Sequence, residues 1–113
     1  MNSVSFIVTP EFKRVAKRLS KKYPSLPDDL ANLRDSLSEN PYQGKELSHS
    51  FRKIRLKISS KGKGKSGGAR VITLNWFHDE LNKRIILVTL YDKNERQSIS
   101  EYEINRALCF IDL

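Results

Sequence analysis

A chain of 113 residues is long enough for one domain with a modest core and too short for a second independent unit. Its 38% apolar and 30% charged residues exclude wholesale disorder, and no apolar run approaches the roughly 18–20 residues of a membrane span. The formal charge is +8, and Met1-Asn2-Ser3-Val4-Ser5 lacks the basic start and apolar core of a signal peptide, so a cytoplasmic protein with no membrane partner is expected.

In chain order, Val4 to Val8 alternates as a short first strand and ends at Thr9-Pro10, a cap and first-turn pair for a helix. Phe12, Val15, Ala16 and Leu19 then recur at helical spacing, with Lys13, Arg14, Lys17, Arg18, Lys21 and Lys22 on the other faces, to about Tyr23. Pro24 and Pro27 flank a break, Ser25 is a cap, and Leu30, Leu33 and Leu37 mark a second helix that stops before Asn40-Pro41. Tyr42 to Ser50 reads as a polar connection containing Gly44. Beyond it the period becomes two, predicting strands over Arg52 to Ile58, Ala69 to Phe77 and Arg84 to Asp92, with His78 to Lys83 as a hairpin turn. Gly62, Gly64, Gly67 and Gly68, interleaved with lysines, make the link between the first two of these strands a mobile loop. Ser100 and Glu103 form a capping box for a short last helix carrying Ile104, Ala107 and Leu108. The expected fold is a single α+β domain: two N-terminal helices on one face of a mainly antiparallel four-stranded sheet, with a short C-terminal helix.

The charge is not spread evenly. Eight of the 21 basic residues, Arg52, Lys53, Arg55, Lys57, Lys61, Lys63, Lys65 and Arg70, fall between Phe51 and Arg70 with no acid among them, leaving thirteen against thirteen acids elsewhere. A local excess of this kind makes a field that attracts polyanions, nucleic acid first; the bland reading is a solvated charged hairpin with no partner. Alternation turns Ile54, Leu56 and Ile58 one way and Lys53, Arg55 and Lys57 the other. Successive cations are then roughly 7 Å apart, close to the separation of adjacent phosphates along a strand.

The remaining chemistry-bearing residues have plainer readings. Cys109 is the single cysteine and reads as a buried inert thiol. With no second Cys and no paired His at ligand spacing, neither a metal nor a cofactor is expected. His49 and His78 fall in connections, Trp76 reads as core beside Ile72 and Leu74, and the basic side of the first helix reads as a solvated face.

The run Phe51-Arg-Lys-Ile-Arg-Leu-Lys-Ile58, followed by Lys61-Gly-Lys-Gly-Lys-Ser-Gly-Gly-Ala-Arg-Val-Ile72, closely resembles the central hairpin of RelE/ParE superfamily toxins of the HigB-like branch. Leu87-Val-Thr-Leu-Tyr-Asp-Lys-Asn-Glu95 resembles that family's last strand and its exit. The resemblance implies a RelE-like, microbial RNase-like fold and the toxin of a type II toxin-antitoxin system, silenced by a cognate antitoxin and meeting operator DNA only through it. Many relatives cleave mRNA on the ribosome without a metal, by attack of a ribose 2′-hydroxyl on the neighbouring phosphate. ParE relatives share the fold but act on DNA gyrase, and an inactive antitoxin-binding or operator-binding relative is a third reading.

Carried over residue by residue, Lys53, Arg55 and Arg70 match the family's basic active-site positions. Arg70 is expected to grip a phosphate bidentately, Arg55 to stabilise the transition-state charge and Lys53 to act as general base, with Lys57 beside them. Arg52, Lys61, Lys63, Lys65 and Lys93 are expected to hold RNA backbone, with Tyr91 stacking and Asp92 and Asn94 contributing at the same edge. The chain departs from the family's best-known pattern at Asn94 and Ser100, which stand where that pattern has an arginine and a tyrosine and supply neither a cation nor an acidic phenol. The antitoxin is expected to cover Lys53, Arg55 and Lys57 with an acidic segment that is partly disordered before binding.

Overall fold

The computed structural model describes residues 4–62, 64 and 67–111. Strand β1 (Val4–Val8) leads through Thr9 into helix α1 (Pro10–Lys22). The Thr9 hydroxyl accepts the Phe12 N–H at 2.9 Å and donates to the Val88 carbonyl at 2.6 Å, so one side chain both caps α1 and ties it to the sheet. Helix α1 buries Phe12, Val15 and Leu19, and helix α2 (Leu26–Glu39) buries Leu26, Leu33 and Leu37. Ser25 occupies the cap position of α2, but its hydroxyl donates to Asp29 at 2.8 Å and makes no cap bond.

Four further strands follow: β2 (Lys45–Ser48), β3 (Phe51–Leu56), β4 (Ala69–Phe77) and β5 (Lys83–Asp92), then helix α3 (Glu101–Leu108). The domain is α+β, with a mixed five-stranded sheet in the order β1-β5-β4-β3-β2, where β1 runs parallel to β5 and the other pairings are antiparallel. The fifth strand corrects the expected four. Strand β2 lies inside the stretch read as a polar connection; all four of its residues are exposed, so it carries no buried face to generate an apolar alternation. Strand β3 also ends two residues earlier than expected. Asp29 takes the Ser59 N–H at 2.9 Å and the Ser59 hydroxyl at 2.6 Å, which pulls the chain off the sheet into a short 3-10 turn over Ser59–Lys61.

The sheet separates two apolar layers. Ile54, Leu56, Ala69, Val71, Ile85, Leu87 and Leu90 pack with α1 and α2, whereas Ile72, Leu74, Ile86 and Val88 pack with Ile104 and Ala107 of α3. A fully buried leucine such as Leu19 or Leu37 contributes about 1.5–3 kcal/mol. Between β4 and β5 the register slips once: Ile72 faces Thr89 and Thr73 faces Leu87, leaving Val88 as an extra residue. The capping box of α3 forms as expected, and the carboxyl of Glu103 is drawn down to about 2 by the bidentate Arg96 guanidinium and the Ser100 backbone N–H.

Two of the plainer expectations are corrected. Cys109 is exposed, because it stands at the C-terminal cap of α3, past the buried stripe of Ile104 and Ala107. Trp76 is 37% exposed near the end of β4, where its indole N–H donates to Nε2 of His78 at 3.0 Å rather than entering the core. His49 and His78 do fall in connections, His49 with a left-handed φ of 46°. Among the described residues no helix is long and apolar enough to cross a membrane.

Candidate anion-binding site

On the side of the sheet that packs against α3, the part α3 leaves uncovered carries two cross-strand rows. In the first, Arg55 of β3 stands opposite Arg70 of β4, which stands opposite Tyr91 of β5. In the second, Lys45 of β2 stands opposite Lys53 of β3, which stands opposite Ile72. The rows are two residues apart along β3, so they share a face at a separation of roughly 7 Å. Directly opposed like charges destabilise a sheet, and here two such pairs are consecutive.

These cations line a cleft of about 520 Å³ that also includes Lys93 and is walled by Gln43 and Gly44. Five of its described lining residues are cationic and none is acidic. Lys45 and Arg55 are exposed, Lys53 is half-buried, and Arg70 lies at the floor with 6% exposure, its guanidinium donating to the Ala69 carbonyl at 3.2 Å. Lys45 was not visible as a site residue from the sequence, because the strand that presents it was not. The signal available was Gly44, a turn residue ahead of the short run Lys45-Glu46-Leu47-Ser48.

Gly44 makes the second row possible. It has φ +83°, and a Cβ there would sit 2.4 Å from the Lys53 carbonyl oxygen. Arg52, on the opposite side of β3 from Lys53, donates to the carbonyls of Gln43 and Gly44, both at 2.9 Å. Arg52 therefore holds the turn that delivers Lys45, an occupation different from the RNA contact expected of it. Gly44→Ala should cost about 1–3 kcal/mol through the strained backbone alone, read as a lower urea midpoint with an unchanged slope.

The other expected residues divide. Lys57 lies past the end of β3 and does not line the cleft; its charge acts on Asp29, the carboxylate that ended the strand. In the cleft, Lys53 and Arg55 are joined by Lys45 and Arg70 rather than by Lys57. Lys61 has a 5% exposed side chain and meets the fully buried Asp92 at 2.6 Å, so it is held internally. Lys63 and Lys65 lie outside the described residues.

Asp92 is a hub on the helix side. Beyond Lys61 it accepts the Tyr23 hydroxyl at 2.6 Å and the Asn94 N–H at 2.9 Å. Burial alone would raise its carboxyl, but these hydrogen bonds outweigh burial and hold it below the usual carboxylate range. No family model matches the chain.

Tyr91 is 3% exposed and stands opposite Arg70 across the sheet, so its ring is not presented for stacking as expected. Its hydroxyl has no hydrogen-bond partner among the described residues, and burial pushes its pKa up against the opposing pull of Arg70 and Arg96. Lys93 lines the cleft while its ammonium donates to the Gln97 carbonyl at 2.9 Å. Asn94 is exposed and uses its backbone N–H on Asp92, and Ser100 serves as the cap of α3. The basic side of α1 is partly neutralised, with Arg18 paired to Glu95 at 3.0 Å and Lys22 3.8 Å from Asp92 and Glu95. Chemically, the cleft offers paired cations to an anion, with no carboxylate among its described lining residues.

Proposed function

We propose that this chain is a RelE-like toxin of a type II toxin-antitoxin system, acting in the cytoplasm as a ribosome-dependent mRNA endoribonuclease that inhibits translation. The observation that carries this reading is the cleft, five of whose described lining residues are cationic, in which two successive like-charge pairs, Lys45–Lys53 and Arg55–Arg70, face each other across the sheet. Cations opposed across a sheet repel one another, and a polyphosphate entering between them relieves that repulsion. The element order of helices, sheet and short last helix, together with the motif resemblance, supports the RelE-like assignment.

In this reading Arg55 and Arg70 straddle the scissile phosphate. A 2′-hydroxyl attacks the phosphorus and gives its proton to solvent, while the two guanidiniums stabilise the additional negative charge of the pentacoordinate state. The P–O5′ bond then breaks and the departing 5′ oxygen takes a proton from solvent, leaving a 2′,3′-cyclic phosphate and a 5′-hydroxyl. Catalysis here is mainly electrostatic, which is consistent with Asn94 and Ser100 standing where a further cation and phenol would otherwise act. The silencing partner is an antitoxin whose acidic segment covers Lys53, Arg55 and Lys57.

Mapping RNA ends after induction without antitoxin tests the reading. The expected result is arrested translation with new mRNA ends inside codons. Intact mRNA with DNA damage would instead favour a gyrase poison of the ParE kind, and growth without either effect would favour an inactive antitoxin-binding or operator-binding relative.

A further inference from the structure

We infer that the cleft holds two consecutive phosphates of one RNA strand, the first between Arg55 and Arg70 and the second between Lys45 and Lys53. The inference rests on the ribonuclease reading and extends it to a substrate requirement and to a residue, Lys45, outside the family motif.

Each seat consists of two cations on neighbouring strands, whose opposed Cβ atoms are about 4.5–5.5 Å apart. A phosphodiester has two non-bridging oxygens, so each cation of a pair can take one. The seats are offset by two residues of β3, roughly 7 Å, close to the phosphate repeat of an extended strand. The protein also invests structure in the outer seat. Gly44 packs against the backbone of Lys53, and Arg52 binds the carbonyls of Gln43 and Gly44, so Lys45 is delivered opposite Lys53 despite their mutual repulsion. Among the described residues, neither Lys45 nor Lys53 forms an ion pair with a carboxylate. Glu46, the nearest acid in sequence, stands opposite Arg52 and so belongs to the other face.

The test measures binding of a single-stranded RNA hexamer, and of uridine 3′-phosphate as a one-phosphate probe, to the full-length protein over a range of salt. Lys45→Ala is expected to weaken the hexamer about five- to tenfold, in line with loss of one exposed charge-assisted contact, and to reduce the salt slope by about 0.7. The same variant should leave uridine 3′-phosphate unaffected, and Lys45→Arg should restore hexamer affinity. Lys13→Ala, an exposed lysine on α1, should change neither quantity. Lys45 is exposed on an edge strand, so its removal is not expected to lower Tm.

An unchanged salt slope in Lys45→Ala overturns the second seat while leaving the ribonuclease reading intact, since that reading is judged by mRNA ends. Failure of the unmodified protein to bind the hexamer at all overturns both seats. An acidic hexapeptide that binds as tightly as the hexamer, with the same dependence on Lys45, overturns the assignment of the cleft to phosphate and makes it a protein-docking site.

Discussion

Arg55→Ala should lower the rate of mRNA cleavage about 100- to 1,000-fold, the usual loss on removing one preorganised donor from a developing anionic charge. Arg55 is the better probe of the cleft than Arg70, because its side chain is exposed whereas Arg70 is buried at the floor. Removing one member of the Arg55–Arg70 pair relieves repulsion, so the variant should melt at the same temperature as the unmodified protein or slightly higher. Arg55→Lys should recover only part of the activity, since an ammonium keeps the charge and loses the planar fork. The measurement is single-turnover cleavage on programmed ribosomes alongside a thermal melt. Full activity in Arg55→Ala would remove the cleft from the reaction, and a collapse in Tm would mean that the residue is structural.

The second large effect concerns stability. Asp92→Asn leaves the Lys61 ammonium buried without its carboxylate, and breaking a buried pair in this way costs about 3–5 kcal/mol. Replacing Lys61 with methionine in the same background removes the stranded charge and should recover part of the loss. The native carboxyl of Asp92 is held below its unfolded value, so its contribution is fully present above the unfolded pKa near 3.8 and is lost as pH falls through the lower folded value. The unmodified protein should therefore lose stability steeply below about pH 4, and Asp92→Asn should show a shallower acid limb in urea melts at stepped pH. Parallel acid limbs would show that Asp92 does not carry this dependence.

The sequence made legible those parts of the fold that bury a repeating face or use a specific cap. The Thr9 cap, the apolar stripes of α1 and α2 and the Ser100–Glu103 box are local, and each forms where the pattern put it. Strand β2 was hidden because its side chains are all exposed and its pairing is a property of β3 rather than of itself. For the site, alternation correctly joined Lys53 with Arg55, and the resemblance supplied Arg70. It could not anticipate that Asp29 would end β3 before Lys57, or that Lys61 would turn inward to Asp92. Both depend on carboxylates more than 25 positions away in the chain, and a count of like charges along a segment is blind to them.

The extra residue at Val88 decides which chemistry reaches which side of the sheet. Had β5 continued in unbroken phase from Ile86, Leu90 and Asp92 would emerge beside Arg70 and Tyr91 would turn toward the helices. A carboxylate would then stand among the cleft's cations and quench them from within. The half-turn of phase at Val88, held by the Thr9 hydroxyl on its carbonyl, sends Asp92 to Tyr23 and Lys61 and leaves a neutral phenol next to the arginines. One inserted backbone unit thus acts as an insulator, keeping the molecule's most deeply buried negative charge away from its positive face.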